Sequence, residues 1–116
     1  MSLQAERCKM TGIPVFLYEL YSRFRLSVRI YSKIRWELCP FTEIEKMIPK
    51  QANIVDVGCG FGLLSNYLAL MSKDRKVLGI DFSRTRIEVA IKTINKRINI
   101  NFMIANVKDL TLSDCD

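Results

Sequence analysis

The sequence contains no histidine, the side chain that most often acts as a general acid or base near neutral pH. Its four cysteines, Cys8, Cys39, Cys59 and Cys115, include no C-x-x-C pair. Zinc sites are usually built from cysteine and histidine at short spacings, so no metal site is predicted. We expect reduced thiols, as is usual inside cells, and chemistry that depends on carboxylates, on tyrosines or on positioning.

Long apolar runs are also missing from the sequence. A membrane-spanning helix needs roughly 20 consecutive apolar residues, and no stretch of this chain approaches that length. The N-terminus, MSLQAE, lacks the basic start and apolar core of a secretory signal. We therefore expect a cytoplasmic protein, and 116 residues are enough for one domain.

The net charge of +6 is concentrated in the N-terminal part of the chain, where five cations, Arg23, Arg25, Arg29, Lys33 and Arg35, follow one another with no acid among them. Residues 1–50 are predicted to form a basic, amphipathic helical segment. Its main helix runs from residue 14 to residue 38, ends before Pro40, and has a break near Ser22 or Ser27. Six residues at helical spacing form its predicted apolar face: Leu17, Leu20, Tyr21, Phe24, Val28 and Tyr31.

Two interpretations of this basic helix stay open. In the first, the helix packs on the rest of the fold and its cations face solvent. In the second, it makes peripheral contact with an anionic membrane, because cationic amphipathic helices that carry tyrosine and Trp36 favour such interfaces. Nucleic-acid binding is less favoured, since no recognition motif accompanies the charge.

After residue 50 the pattern alternates between strand and helix. Strands are predicted at 53–57, 76–81 and 98–104, with helices at 63–72 and after Ser83, whose buried face is Ile87, Ala90, Ile91 and Ile94. A short helix at 42–47 precedes them, and Thr42 with Glu45 has the spacing of a capping box. Alternation of this kind predicts an α/β fold with a parallel sheet.

A glycine-rich turn joins the first strand to the next helix, with the pattern Asp56-x-Gly58-x-Gly60-x-Gly62. Glycines there allow left-handed dihedral angles and a close approach of the backbone to a ligand. The N-terminus of the following helix favours a negative group. Asp81, at the end of the next strand, lies at the same edge of the sheet and can accept hydrogen bonds from a ribose diol.

Two ligand classes compete for this turn. A dinucleotide fingerprint, G-x-G-x-x-G, requires a third glycine where this sequence has Leu63, and a carboxylate at Asp56 suits a pyrophosphate poorly. S-adenosylmethionine carries an ammonium and a sulfonium, for which the Asp56 carboxylate is electrostatically favourable. A nicotinamide-dependent oxidoreductase is therefore the more remote alternative.

The segment from Ile54 to Gly62, which includes Cys59, resembles the first motif of the class I S-adenosylmethionine-dependent methyltransferases, and Val77 to Ser83 is similar to their second strand. The resemblance implies a Rossmann-like parallel sheet with flanking helices and S-adenosylmethionine as cofactor. It also implies that Asp81 binds the ribose hydroxyls and that Phe82 lies against the adenine. A weaker third match includes Asn106 and Val107, where the family often has an aspartate that contacts the adenine amino group.

By this resemblance, residues 51–116 form the cofactor-binding half of a methyltransferase domain, with strands 1–3 of the family's seven. By analogy the strand order is 3-2-1, with Ile54, Val55 and Val57 exposed on an edge that permits self-association. We expect a fragment of a longer protein, and the alternative is that another chain covers this edge. The implied activity is methyl transfer to a small-molecule or lipid-like acceptor. The competing hypothesis is a half-domain that binds cofactor or a partner without catalysis. The sequence identifies neither the acceptor nor a catalytic residue.

Overall fold

The computed structural model describes residues 12–106 of the chain. The chain divides into two compact units, Met1–Phe41 and Thr42–Asp116, and the division falls earlier than the predicted boundary after residue 50, which stays a prediction. Of the helices in the described part, none combines the length and the apolar character needed to cross a membrane.

The N-terminal unit contains a short helix α1 (Val15–Tyr18), a 3-10 turn (Glu19–Tyr21) and the helix α2 (Leu26–Leu38). The predicted break is confirmed, because residues 22–25 separate the two helices. Helix α2 ends at Leu38, and Cys39 has an extended backbone, as expected of the residue before Pro40.

The predicted apolar face of this segment is confirmed in part. Leu17, Tyr21 and Val28 are buried, whereas Tyr31 is 36% exposed. Leu20 and Phe24 are half-buried. The prediction was wrong for Tyr31 because the break between the helices changes the phase of the helical repeat, so one face does not continue through both helices.

The C-terminal unit is a three-stranded parallel sheet with helices between its strands. Its elements are α3 (Phe41–Met47), which crosses the division, β1 (Ala52–Val57), α4 (Leu63–Met71), β2 (Arg75–Asp81), α5 (Arg84–Lys92) and β3 (Ile100–Ile104). The strand order is β1-β2-β3, with Asp56 opposite Gly79 and Gly79 opposite Phe102. The predicted α/β class and strand order are confirmed.

Both helices pack on one face of the sheet. The core there combines Leu68 and Ala69 from α4, Ile87 and Ala90 from α5, and Val77, Ile100 and Phe102 from the strands. Ser83 caps α5 as predicted, since its Oγ accepts from the Arg86 amide at 3.3 Å.

Two predictions for the α5 and β3 region were wrong. Ile91 is 46% exposed and Ile98 is fully exposed, and β3 begins at Ile100 rather than at Ile98. The residues before Ile98 turn sharply, with positive φ angles of 50° at Asn95 and 70° at Lys96. The apolar alternation that suggested a longer strand therefore continues through a turn.

Strand β1 pairs on one side only within the described residues, so it is an edge strand as predicted. Val57 is 54% exposed, whereas Ile54 and Val55 are half-buried rather than exposed. Ile54 packs against the core beneath the sheet, which explains its partial burial. Self-association through this edge stays a prediction.

At the amino end of β2, Arg75 is fully buried and is held by Glu45 of α3. Arg75 Nη2 donates to Glu45 Oε2 at 2.7 Å and to the Ile48 carbonyl at 2.8 Å. Nε and Nη1 donate to the carbonyls of Pro49 and Leu68, each at 3.0 Å. The predicted capping box is therefore wrong. Helix α3 begins at Phe41, before Thr42, and the Glu45 carboxylate is committed to a partner on another element.

Candidate functional site

The carboxyl ends of the three parallel strands lie at one edge of the sheet, which is where open α/β sheets bind ligands. The glycine turn leaves β1 at this edge with left-handed φ angles of 71° at Gly58, 58° at Gly60 and 84° at Gly62. Residues other than glycine rarely adopt these backbone angles. The turn is fixed from below by the Cys59 amide, which donates to the Ile80 carbonyl at 2.9 Å.

The glycines of the turn have different surroundings. A Cβ on Gly62 would lie 2.5 Å from Cζ of Phe102, and a Cβ on Gly79 of β2 would lie 2.6 Å from Cδ1 of the same ring. Phe102 therefore packs closely beneath both glycines. A Cβ on Gly58 would meet no atom within 4 Å. Gly62 is required by packing, whereas Gly58 faces open space.

The Asp81 carboxylate joins the glycine turn to the loop after β2. Its Oδ2 accepts from the Gly60 amide at 2.9 Å and its Oδ1 accepts from the Ser83 amide at 2.8 Å. The side chain is 5% exposed. A carboxylate can accept about four hydrogen bonds, so these two donors leave capacity for a ligand hydroxyl.

A cleft of about 160 Å³ opens beside Asp81. Residues from the ends of all three strands line it: Val57, Gly58, Ile80, Asp81, Phe82, Ala105 and Asn106. Phe82 is 80% exposed, so one face of its ring is available to a flat ligand. The structure thus brings together Gly58, Asp81, Phe82 and Asn106, which belong to three separate sequence motifs.

Asp56, the carboxylate that precedes the glycine turn, contacts the helix that follows the turn. It is half-buried on the helix side of β1, where its Oδ2 accepts from Ser65 Oγ at 2.7 Å. Asp56 is not among the described residues that line the cleft. Its contact with the donor ammonium stays a prediction, and so does that of Val107, which lies outside the described residues.

Cys59, in the middle of the turn, is a neutral thiol at physiological pH. Burial raises its pKa to about 12, and the Asp56 and Asp81 carboxylates contribute to the rise. Because the thiolate is the reactive form, this cysteine is unsuited to act as a nucleophile. It contributes its backbone to the turn, where its carbonyl accepts from the Gly62 amide at 2.9 Å.

Sequence reasoning missed several residues of the site. Val57, Ile80 and Ala105 line the cleft, and Phe102 supports the turn from 40 residues further along the chain than Gly62. Ser83 was recognised as a helix cap only, although its amide also holds Asp81. The two-residue spacing from Asp81 to Ser83 is typical of an Asx turn and could have indicated this bond.

Comparisons with known proteins agree with this geometry. A family model described as a methyltransferase domain matches residues 54–116. Carboxy-S-adenosyl-L-methionine synthase of Campylobacter jejuni is 33% identical over 81 residues, which are 69% of this chain and 34% of that protein. The chain therefore spans about a third of the length of the curated relatives that it matches first.

Solved structures show the same fold. PKMT2 from Rickettsia typhi in complex with AdoHcy is 33% identical, with a TM-score of 0.50 over 53% of this chain and 12% of that one. A TehB-like SAM-dependent methyltransferase from Corynebacterium glutamicum matches 95% of this chain and 45% of its own, with a TM-score of 0.51 at 19% identity, and supports the fold alone. The predicted family, with S-adenosylmethionine as its cofactor, is confirmed. The chain belongs to the methyltransferase domain family of S-adenosylmethionine-dependent enzymes.

Proposed function

We propose that the cleft at the carboxyl ends of the strands binds S-adenosylmethionine for methyl transfer to a small-molecule or lipid-like acceptor. The observation that carries the proposal is the convergence of Gly58, Asp81, Phe82 and Asn106 on one cleft. These residues lie far apart in sequence and supply different chemistry: open backbone, a carboxylate, an aromatic face and an amide.

The residues present fit the adenosine end of the donor. Asp81 is positioned to accept from ribose hydroxyls, since its carboxylate is oriented by two backbone amides at the margin of the cleft. Phe82 offers a stacking face, and the Asn106 carbonyl is an acceptor suited to the adenine amino group. The cleft, at about 160 Å³, is smaller than the roughly 300–1,000 Å³ usual for small-molecule pockets, so it suits part of the donor.

Open space at Gly58 supports the same proposal. With no atom within 4 Å of its Cβ position, the backbone there can approach a ligand directly. A nicotinamide dinucleotide is less well served, because Leu63, at the place of the third glycine of its fingerprint, is a buried residue of α4. We therefore propose the sulfonium donor over NAD.

When bound, S-adenosylmethionine supplies a methyl group on a positively charged sulfur, and transfer to an acceptor nucleophile leaves a neutral thioether. Such a displacement depends on alignment of the two reactants more than on acid–base assistance. The protein's part is to orient the donor through Asp81, Phe82 and Asn106. The lack of histidine is compatible with this role.

Calorimetry with S-adenosylmethionine, S-adenosylhomocysteine and NAD tests the proposal. We expect the first two to bind more tightly than NAD, and Asp81→Ala to weaken their binding by about 1–3 kcal/mol, because ribose hydroxyls lose their acceptor. Phe82→Ala should also weaken binding while leaving the fold intact, since the ring is 80% exposed.

Asp74→Ala is the matched control, because Asp74 is an exposed carboxylate that precedes β2 at the opposite end of the same strand. It should leave donor affinity unchanged. Equal affinity for NAD, or donor binding that neither Asp81→Ala nor Phe82→Ala changes, would overturn the assignment. A methyl-transfer assay with the 116-residue chain then separates an active enzyme from a half-domain that binds without transfer.

A further inference from the structure

A row of four apolar side chains lies at the surface of α2, although the sequence pattern assigned this helix a single apolar face elsewhere. Leu26, Ile30, Ile34 and Leu38 are 61%, 47%, 51% and 77% exposed. Val28, on another side of the helix, is 6% exposed. Contiguous exposed apolar surface of this kind marks an interaction site. We name these four residues the α2 apolar row.

The spacing of the row indicates the shape of its partner. Each four-residue step turns about 40° around a helix of 3.6 residues per turn, so the row sweeps across about 120° of α2. A partner helix in a coiled coil would instead require an average spacing of about 3.5 residues, which gives a narrow seam. The α2 apolar row is therefore a broad face, suited to a flat apolar surface.

Cations lie on both sides of the row. Lys33 and Arg35 are exposed and precede and follow Ile34, so they project about 100° to either side of it. Residues 23–38 carry five cations and one acid, Glu37, which is exposed and projects about 60° from Ile34 on the same side as Lys33. Lys33 Nζ also lies 5.0 Å from the ring centroid of Tyr18, an aromatic residue of the type found at membrane interfaces.

We propose that α2 lies in the headgroup region of an anionic membrane, with the α2 apolar row inserted among the acyl chains and the flanking cations on lipid phosphates. A broad apolar face flanked by cations is the arrangement that anionic bilayers bind. The helix has 13 residues, fewer than the roughly 20 that would cross a bilayer, so it lies along the surface. The proposal is independent of the donor site.

Flotation of the 116-residue chain with phosphatidylcholine vesicles, with and without phosphatidylglycerol, tests the proposal. We expect binding to the anionic vesicles, weakened by salt, and little binding to phosphatidylcholine alone. Equal binding to the two compositions would overturn the proposal, because the cations would then have no part.

Two double variants separate the apolar and the charged contributions. Ile30→Gln with Ile34→Gln should weaken vesicle binding about tenfold or more, because both side chains lose acyl contact. Lys33→Gln with Arg35→Gln should weaken it about fivefold for each cation and flatten its salt dependence. All four side chains are exposed, so circular dichroism should show an unchanged fold.

Met47→Gln with Ile98→Gln is the matched apolar control, since these residues are 82% and 100% exposed outside α2. It should bind vesicles like the parent chain, and Lys46→Gln with Lys73→Gln is the charged control with the same expectation. A loss in the controls equal to that in the α2 variants would overturn the proposal. So would self-association that Ile30→Gln with Ile34→Gln abolishes, without any vesicle binding by the parent, because the row would then be a protein interface.

Discussion

The two ends of β2 each carry a charged side chain with little exposure, and the two are used differently. At the amino end, Arg75 is fully buried and donates to the Glu45 carboxylate and to main-chain carbonyls of the neighbouring helices and loop. At the carboxyl end, Asp81 accepts from two backbone amides and also lines an open cleft.

The two charged side chains have different roles, because Arg75 stabilises the fold whereas Asp81 is available to a ligand. A guanidinium has five N–H donors, and Arg75 uses them to join α3, the loop after it and α4 to the start of the sheet. Asp81 is oriented by the protein but keeps acceptor capacity toward the cleft. Substitutions at the amino end should therefore lower the free energy of unfolding, and substitutions at the carboxyl end should lower the affinity for the donor.

Arg75→Met should have the largest effect on stability. It removes the shorter of the two ion pairs of Glu45, which keeps only Lys50 at 3.2 Å, and it leaves several carbonyls buried without their donor. We expect a cost of about 3–5 kcal/mol, as for the loss of one partner of a buried ion pair. Chemical denaturation measures the loss. Lys76→Met is the control on the same strand, and because Lys76 is exposed it should change the free energy of unfolding by less than about 0.5 kcal/mol. Similar losses in both variants would mean that Arg75 has no special role.

Lowering the pH should remove part of the stability that the Arg75–Glu45 pair contributes. The hydrogen bond from Arg75 holds the pKa of the Glu45 carboxyl below its usual value. The stability that this pair contributes is thus present above the unfolded-state pKa and is lost as the pH falls through the lower folded-state pKa. Glu45→Gln should be less stable than the parent chain at neutral pH, and the difference should shrink as the pH falls through that range.

Two glycine variants test the same distinction between stability and donor binding within the glycine turn. Gly62→Ala places a Cβ at a φ of 84° and 2.5 Å from the Phe102 ring, so the backbone strain and the overlap together should cost about 2–4 kcal/mol of stability. Gly58→Ala meets no atom, so only the strain remains, about 1–2 kcal/mol, while the Cβ obstructs the approach of the donor.

Denaturation and donor titration of both variants distinguish these roles. Phe102→Leu in the Gly62→Ala background should recover part of the stability, because it removes the ring atoms that the new Cβ meets. If Gly58→Ala kept the parent's donor affinity, the backbone at Gly58 would not contact the donor.

The smallest effect concerns the Cys59 thiol, whose raised pKa of about 12 disfavours the thiolate. In a variant with Ser at positions 8, 39 and 115, alkylation of Cys59 at pH 9 should be at least about tenfold slower in the folded protein than in urea. The contribution of the neutral thiol to stability is present below about pH 8.5 and lost as the pH rises through the folded pKa. Equal alkylation rates in the two states would contradict the burial of this thiol.

The fold and the cleft could be predicted because their signals are local. Gly58, Gly60 and Gly62 mark a turn that other residues rarely adopt, and Asp81 and Phe82 follow directly on a strand. Parallel strands bring such residues to one edge whatever the details of packing.

The errors arose where distant partners decide the structure. Glu45 has the spacing of a capping box, but its partner Arg75 lies 30 residues away and no short pattern reveals it. Ile98 continues an apolar alternation although the chain turns before it. The helical spacing of apolar residues that continues from α1 into α2 indicated only one apolar face. The α2 apolar row was missed, because periodicity does not indicate which of two apolar faces is covered by the rest of the protein.

Backbone amide NMR of the chain during titration with S-adenosylhomocysteine locates the donor site. We expect the amide signals of Gly58, Gly60, Phe82 and Asn106, at the carboxyl ends of the strands, to shift as the ligand is added. The signals of Asn53, Arg75 and Ile100, at the amino ends, should stay where they are. Shifts centred on the amino ends, or a titration that leaves Gly58 and Phe82 unchanged, would contradict the assignment of the cleft as the donor site.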